Sequence, residues 1–144
     1  MTFEEDVRTV IEKEIEEMDK MHLKCSKRYF KGVSGNYWTP DIVIEDTTEK
    51  APESIKVMIE CKGPGYETGV KPQPHTFREH MLRAYSELGD LRNYKIPKFL
   101  VVSYMEDTRV FDYKAYFESI CVEIVDWDHF YTLENKLLTV IGEL

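Results

Sequence analysis

Apolar residues recur at three- and four-residue steps from Phe3 through Val7, Val10, Ile11 and Ile15 to Met18, a spacing that predicts an amphipathic helix with one buried stripe. Thr2 and Glu5 stand as the T-x-x-E of a capping box, so the helix starts there. With successive side chains about 100° apart, Glu4 falls inside the apolar arc beside Val7, Ile11 and Ile15, while Glu5 and Glu12 project away from it. A second helical pattern runs from His75 to Asn93, carried by Phe77, Met81, Ala84, Tyr85, Leu88 and Leu91. A third, from Phe130 to Ile141, places Phe130, Leu133, Leu137, Leu138 and Ile141 inward.

Between these helices the period changes. Ser26 to Thr39 is aromatic and basic with turn formers at Gly32, Gly35 and Asn36, which predicts a short strand and then a loop or hairpin. Pro40 opens a strand over 41–45, residues 46–53 read as a hairpin connection, and Ser54 to Lys62 alternates as the next strand until Gly63-Pro64-Gly65 stops it. Residues 98–104 form a mostly apolar run, short enough to be a strand buried on both faces. Residues 112–118 read as a helical turn or two, and 120–125 as a last strand. The expected fold class is therefore α/β, with a mixed central sheet flanked by helices in the order α-β-β-β-α-β-α-β-α, in one domain spanning 1–144.

The chain carries 19 Lys and Arg against 27 Asp and Glu, a net charge of -8. That balance argues against coating nucleic acid by bulk electrostatics, which needs a basic face to release counterions. The charge is uneven, however: residues 4–19 hold eight acids and two bases, whereas 20–40 hold five bases and no acid. Within that stretch Lys24, Lys27, Arg28 and Lys31 alternate with Tyr29, Phe30, Tyr37 and Trp38, a composition suited to a nucleic-acid backbone and to stacking on exposed bases. The competing reading is that these bases balance the acidic first helix. No apolar run approaches a membrane span and the first residues are acidic rather than signal-like, so an intracellular, cytoplasmic protein is expected. Cys25, Cys61 and Cys121 are odd in number and widely spaced, which suggests reduced thiols rather than a disulfide frame or a cysteine metal cluster. His22, His75, His80 and His129 show no ligand spacing.

The candidate chemistry lies on the two central strands. Glu60 and Lys62 project from one face while Ile59 and Cys61 face the other, and a hairpin between the strands brings Asp41 beside Glu60. Two carboxylates and a backbone carbonyl offer hard oxygen ligands that suit Mg2+ or Mn2+. A neighbouring lysine is then placed to position a water.

Pro40-Asp41 followed about twenty residues later by Glu60-Cys61-Lys62 resembles the PD-(D/E)xK pattern of the restriction-endonuclease-like nuclease superfamily. The order of elements resembles that fold too, with its acid-bearing first helix, three-stranded meander, crossover helix and further strands. The resemblance implies a metal-dependent endonuclease acting on DNA, with RNA left open. Asp41 and Glu60 would bind Mg2+ or Mn2+, the Cys61 carbonyl would be a third ligand, and Lys62 would orient the attacking water. Glu4 matches the helix glutamate that some members add. Glu60 to Gly65 followed by Gln73 is similar to virus-type replication-repair nucleases, but the match thins after Gln73, and Holliday-junction-resolvase-like and restriction-type readings stay equally open. Analogy with the fold also implies a homodimer. Arg78, with Arg83 on the polar side of the second helix, is either solvated charge or a phosphate contact. The alternative function is a catalytically silent subunit of the same fold that binds nucleic acid or acts as a scaffold.

Overall fold

The computed structural model describes residues 2–63, 65–104 and 107–144. Its centre is a mixed five-stranded sheet flanked by helices. Helix α1 (Phe3–Glu17) leads into β1 (Leu23–Ser26), then a two-stranded ribbon of β2 (Phe30–Lys31) and β3 (Tyr37–Trp38), then β4 (Ile42–Asp46) and β5 (Ile55–Lys62). Helix α2 (Pro74–Asp90), β6 (Lys98–Val102), α3 (Lys114–Glu118), β7 (Val122–Asp126) and α4 (Lys136–Glu143) follow. The sheet order is β1-β4-β5-β6-β7, antiparallel through β5 and parallel from β5 to β7.

Alternation in β5 sorts the core into two layers. Val57, Ile59 and Cys61 pack with Phe3, Val7, Ile11 and Ile15 of α1 and with Leu137 and Ile141 of α4. On the other face α2 lays Phe77, Met81, Ala84 and Leu88 over Leu100 and Val102 of β6, and its end packs Leu91 with Met58. The capping box at Thr2 and Glu5 forms in full.

Gly63, just past β5, lets α1 dock there: a Cβ on it would come within 2.7 Å of the Phe3 ring, closer than such atoms pack. The Phe3 ring is further held by Tyr66, centroids 5.0 Å apart, and by Trp127 at 5.6 Å.

Two elements differ from the reading of the sequence. The first strand of the sheet is Leu23–Ser26, ahead of the Gly-containing stretch, and the stretch itself forms the separate β2–β3 ribbon. Leu23 and Cys25 alternate toward the α1 core, a short period-2 signal hidden by the basic residues between them. The last helix begins at Lys136 instead of Phe130, because Asn135 caps it by accepting from the Leu137 and Leu138 amides. Leu133 consequently lies outside the helix, fully exposed. The strand stops at Lys62 as the Gly63-Pro64-Gly65 signal predicts, with Pro64 itself outside the described residues. No described helix is long and apolar enough to cross a membrane.

Candidate functional site

The pairing of Ile42 with Ile59 in the β4–β5 hairpin puts Asp41, one residue ahead, opposite Glu60. Two reciprocal hydrogen bonds fix the arrangement. The Asp41 amide donates to Glu60 Oε1 at 3.1 Å, and the Cys61 amide donates to Asp41 Oδ2 at 2.8 Å. Lys62, on the Glu60 face, brings its Nζ to 3.9 Å from Glu60 Oε2. Glu60 is only 5% exposed.

Even-numbered residues of β5 bond toward β6, as the Met58 amide does to Pro97 O and Lys62 O does from the Ser103 amide. The amide and carbonyl of Cys61 therefore turn toward β4, where the ladder has ended and Asp41 takes the amide. The thiol lies in the α1 layer and burial holds its pKa well above the ordinary value. What Cys61 offers the site is its backbone.

A third acid comes from the facing helix. Glu87 of α2 is 7% exposed, and its carboxyl is a hydrogen-bond neighbour of Glu60. Its Oε2 is buried and meets no hydrogen-bond donor among the described residues, an arrangement that costs about 1–3 kcal/mol for a polar atom and more for a charged one. Crowded acids in a dry place hold their protons. Burial, a hydrogen bond to Glu60 and the charge of Glu60 push Asp41 up to about 7. Burial and the bond to Glu87 push Glu60 up to about 8. Glu87 is raised as well, by burial and then by the charge of Asp41, against the lowering effect of its bond to Glu60.

Glu87 was missed in the sequence, although the signal was present: it sits three residues after Ala84 and four before Leu91, on the apolar stripe of its helix, as Glu4 does on α1. His80, two turns earlier on the Glu87 stripe, is half-buried near Lys62. Burial and then the Lys62 charge lower its pKa.

Other candidate residues are placed at varying distances from this cluster. Glu4 is partly exposed and bound by Lys27 at 2.9 Å. Arg28 binds the buried Glu45 at 2.8 Å, and Ser26 donates to the same carboxylate. Lys24 is exposed on β1, and Lys31 is exposed in the ribbon. Gln73 is the N-cap of α2, exposed and making no side-chain cap bond. At about 1.5 Å per residue it stands roughly 21 Å along the helix from Glu87. Arg78 is exposed, nine residues from Glu87 and so on the opposite side of α2.

Among the described residues no three His, Cys, Asp or Glu side chains converge into a ready-made metal cage. The donor set nonetheless fits a hard cation: two facing carboxylates, a strand-end carbonyl, and a buried carboxylate oxygen left without a donor. The acids line neither of two wide clefts, of about 690 Å³ between α2 and residues 109–116 and about 550 Å³ beside β7. No family model, curated protein or solved structure matches the chain.

Proposed function

We propose that the protein is a metal-dependent nuclease hydrolysing phosphodiester bonds, with DNA as the substrate class. The observation that carries this reading is the reciprocal bonding of Asp41 and the Glu60-Cys61 segment, which sets two high-pKa carboxylates side by side with Lys62 on the same face. Buried acids with raised pKa values beside a lysine are costly to keep for structure alone.

Asp41, Glu60 and the Cys61 carbonyl would hold Mg2+ or Mn2+. When bound, such an ion lowers the pKa of a water and offsets charge on the phosphoryl oxygens. Lys62 donates hydrogen bonds to the attacking water and adds positive charge beside the phosphate. Attack of the water oxygen on phosphorus breaks the bond to the leaving oxygen with inversion, giving a hydroxyl end and a phosphate monoester end. A polymer lying across the strand ends needs no enclosed cavity, in keeping with acids that line neither wide cleft. The exposed Lys24 and Lys31, with Tyr29 and Tyr37 packed edge to face at 5.8 Å in the ribbon, supply a basic and aromatic surface for the chain. A homodimer would let two such sites meet two strands.

The test is cleavage of single-stranded, duplex, flap and four-way DNA with Mg2+ or Mn2+ by wild type and Lys62→Ala. Wild type should cut, and the variant should be at least about 100-fold slower. Equal cutting by both overturns the assignment, and nucleic-acid binding without any cutting points to a silent subunit of the same fold.

A further inference from the structure

We propose that Glu87 is a positioning acid of the cation centre, accepting a hydrogen bond from the water shell of a divalent ion held by Asp41 and Glu60. This rests on the nuclease reading above and assigns to the crossover helix a role that the strand motif does not contain.

Glu87 Oε2 is an acceptor that the described residues leave unanswered. Glu87 is among the few charged residues buried in the core, and its Oε2 faces no donor from any described side chain or amide. Lys62 ends at Glu60, 3.9 Å from Oε2 of that residue. A donor that answers this atom when the acids are ionised has to be small enough to enter between α2 and β5 and to carry positive charge or polarised hydrogens.

A hydrated Mg2+ or Mn2+ has both properties. It keeps several waters and binds directly to only one or two carboxylates, which agrees with the lack of three converging ligand side chains among the described residues. Asp41 and Glu60 supply the direct oxygens, and Glu87, adjoining Glu60 from the opposite layer, orients a coordinated water. Acceptors of this kind typically change metal affinity 10- to 100-fold. Glu4, the acid on the equivalent stripe of α1, does not qualify, because Lys27 already donates to it at 2.9 Å.

Mn2+ binding to the intact chain, followed by the loss of free-ion signal in electron paramagnetic resonance and by calorimetry, separates the roles. Wild type should bind Mn2+ and Asp41→Asn should lose it. Glu87→Gln and Glu87→Leu should weaken binding about tenfold or more while melting no lower than wild type without metal, and Glu4→Gln should bind as wild type does. Wild-type affinity in both Glu87 variants, with Asp41→Asn still defective, overturns the role of Glu87 and leaves the nuclease reading intact. Failure of wild type to bind Mn2+, or undiminished binding by Asp41→Asn, overturns both.

Discussion

Glu4 and Glu45 on one side, and Asp41, Glu60 and Glu87 on the other, are five acids held in two different ways. Glu4 receives Lys27 at 2.9 Å and Glu45 receives Arg28 at 2.8 Å together with the Ser26 hydroxyl. Of the other three, Glu60 adjoins both Asp41 and Glu87 and meets the longer 3.9 Å contact from Lys62, and all three are pushed toward the protonated form. A charge answered within the fold serves the fold. Charges left against each other in a dry place weaken it unless something positive arrives, so the functional reading belongs to the second set.

The difference also assigns the basic stretch of the chain more narrowly than its composition does. Lys27 and Arg28 are engaged with acids inside the monomer, as the balancing reading expects, whereas Lys24 and Lys31 remain exposed.

The largest effect that tests this contrast is pH. The folded carboxyls titrate near 7 and 8, but in the unfolded chain they ionise near 4. Between about pH 4 and 8 the unfolded chain therefore releases protons that the fold retains, so the metal-free protein should lose stability as pH rises through that window. Thermal melting in a chelator should show a fall of several degrees, flattened in Glu60→Gln. A melting temperature indifferent to pH in wild type would erase the distinction between the two sets. Mn2+ should restore the loss most at the alkaline end, where it no longer competes with protons.

A smaller effect comes from the answered acids. Glu45→Ala removes the partner of Arg28 and Ser26, and should cost about 1–2 kcal/mol in denaturant unfolding while leaving Mn2+ affinity unchanged. The smallest comes from Lys27→Ala: its contact with Glu4 joins side chains 47% and 31% exposed, so stability should move by no more than about 0.5 kcal/mol. A large loss there would mean that the Glu4 pair supports the docking of α1 on Gly63 and should be grouped with the site.

Much of the fold could be read along the chain because its signals are local. The capping box, the α1 stripe, the alternation of 54–62 and the Gly stop after Lys62 each depend on neighbours a few residues apart. Placement of the first strand and the start of α4 escaped, because Leu23 and Cys25 give only two alternating positions and Leu133 fits helical spacing that Asn135 interrupts. In the site, Asp41, Glu60 and Lys62 were legible from their spacing on adjacent strands. Glu87 was not, although its position on an apolar stripe matched that of Glu4, because nothing local distinguishes a buried acid with a partner from one without.

The sequence by itself determined the α/β class, a mixed sheet flanked by helices, and the grouping of Asp41, Glu60 and Lys62 at one end of the two central strands. Periodicity and turn chemistry act over a few residues, which is the range a sequence displays directly. Only the tertiary structure decided which acid on a helix joins them. Glu4 and Glu87 occupy comparable positions on their helices, but the fold brings Lys27 to the first and Glu60 to the second, and the protonation of a carboxyl depends on what is brought to it in space.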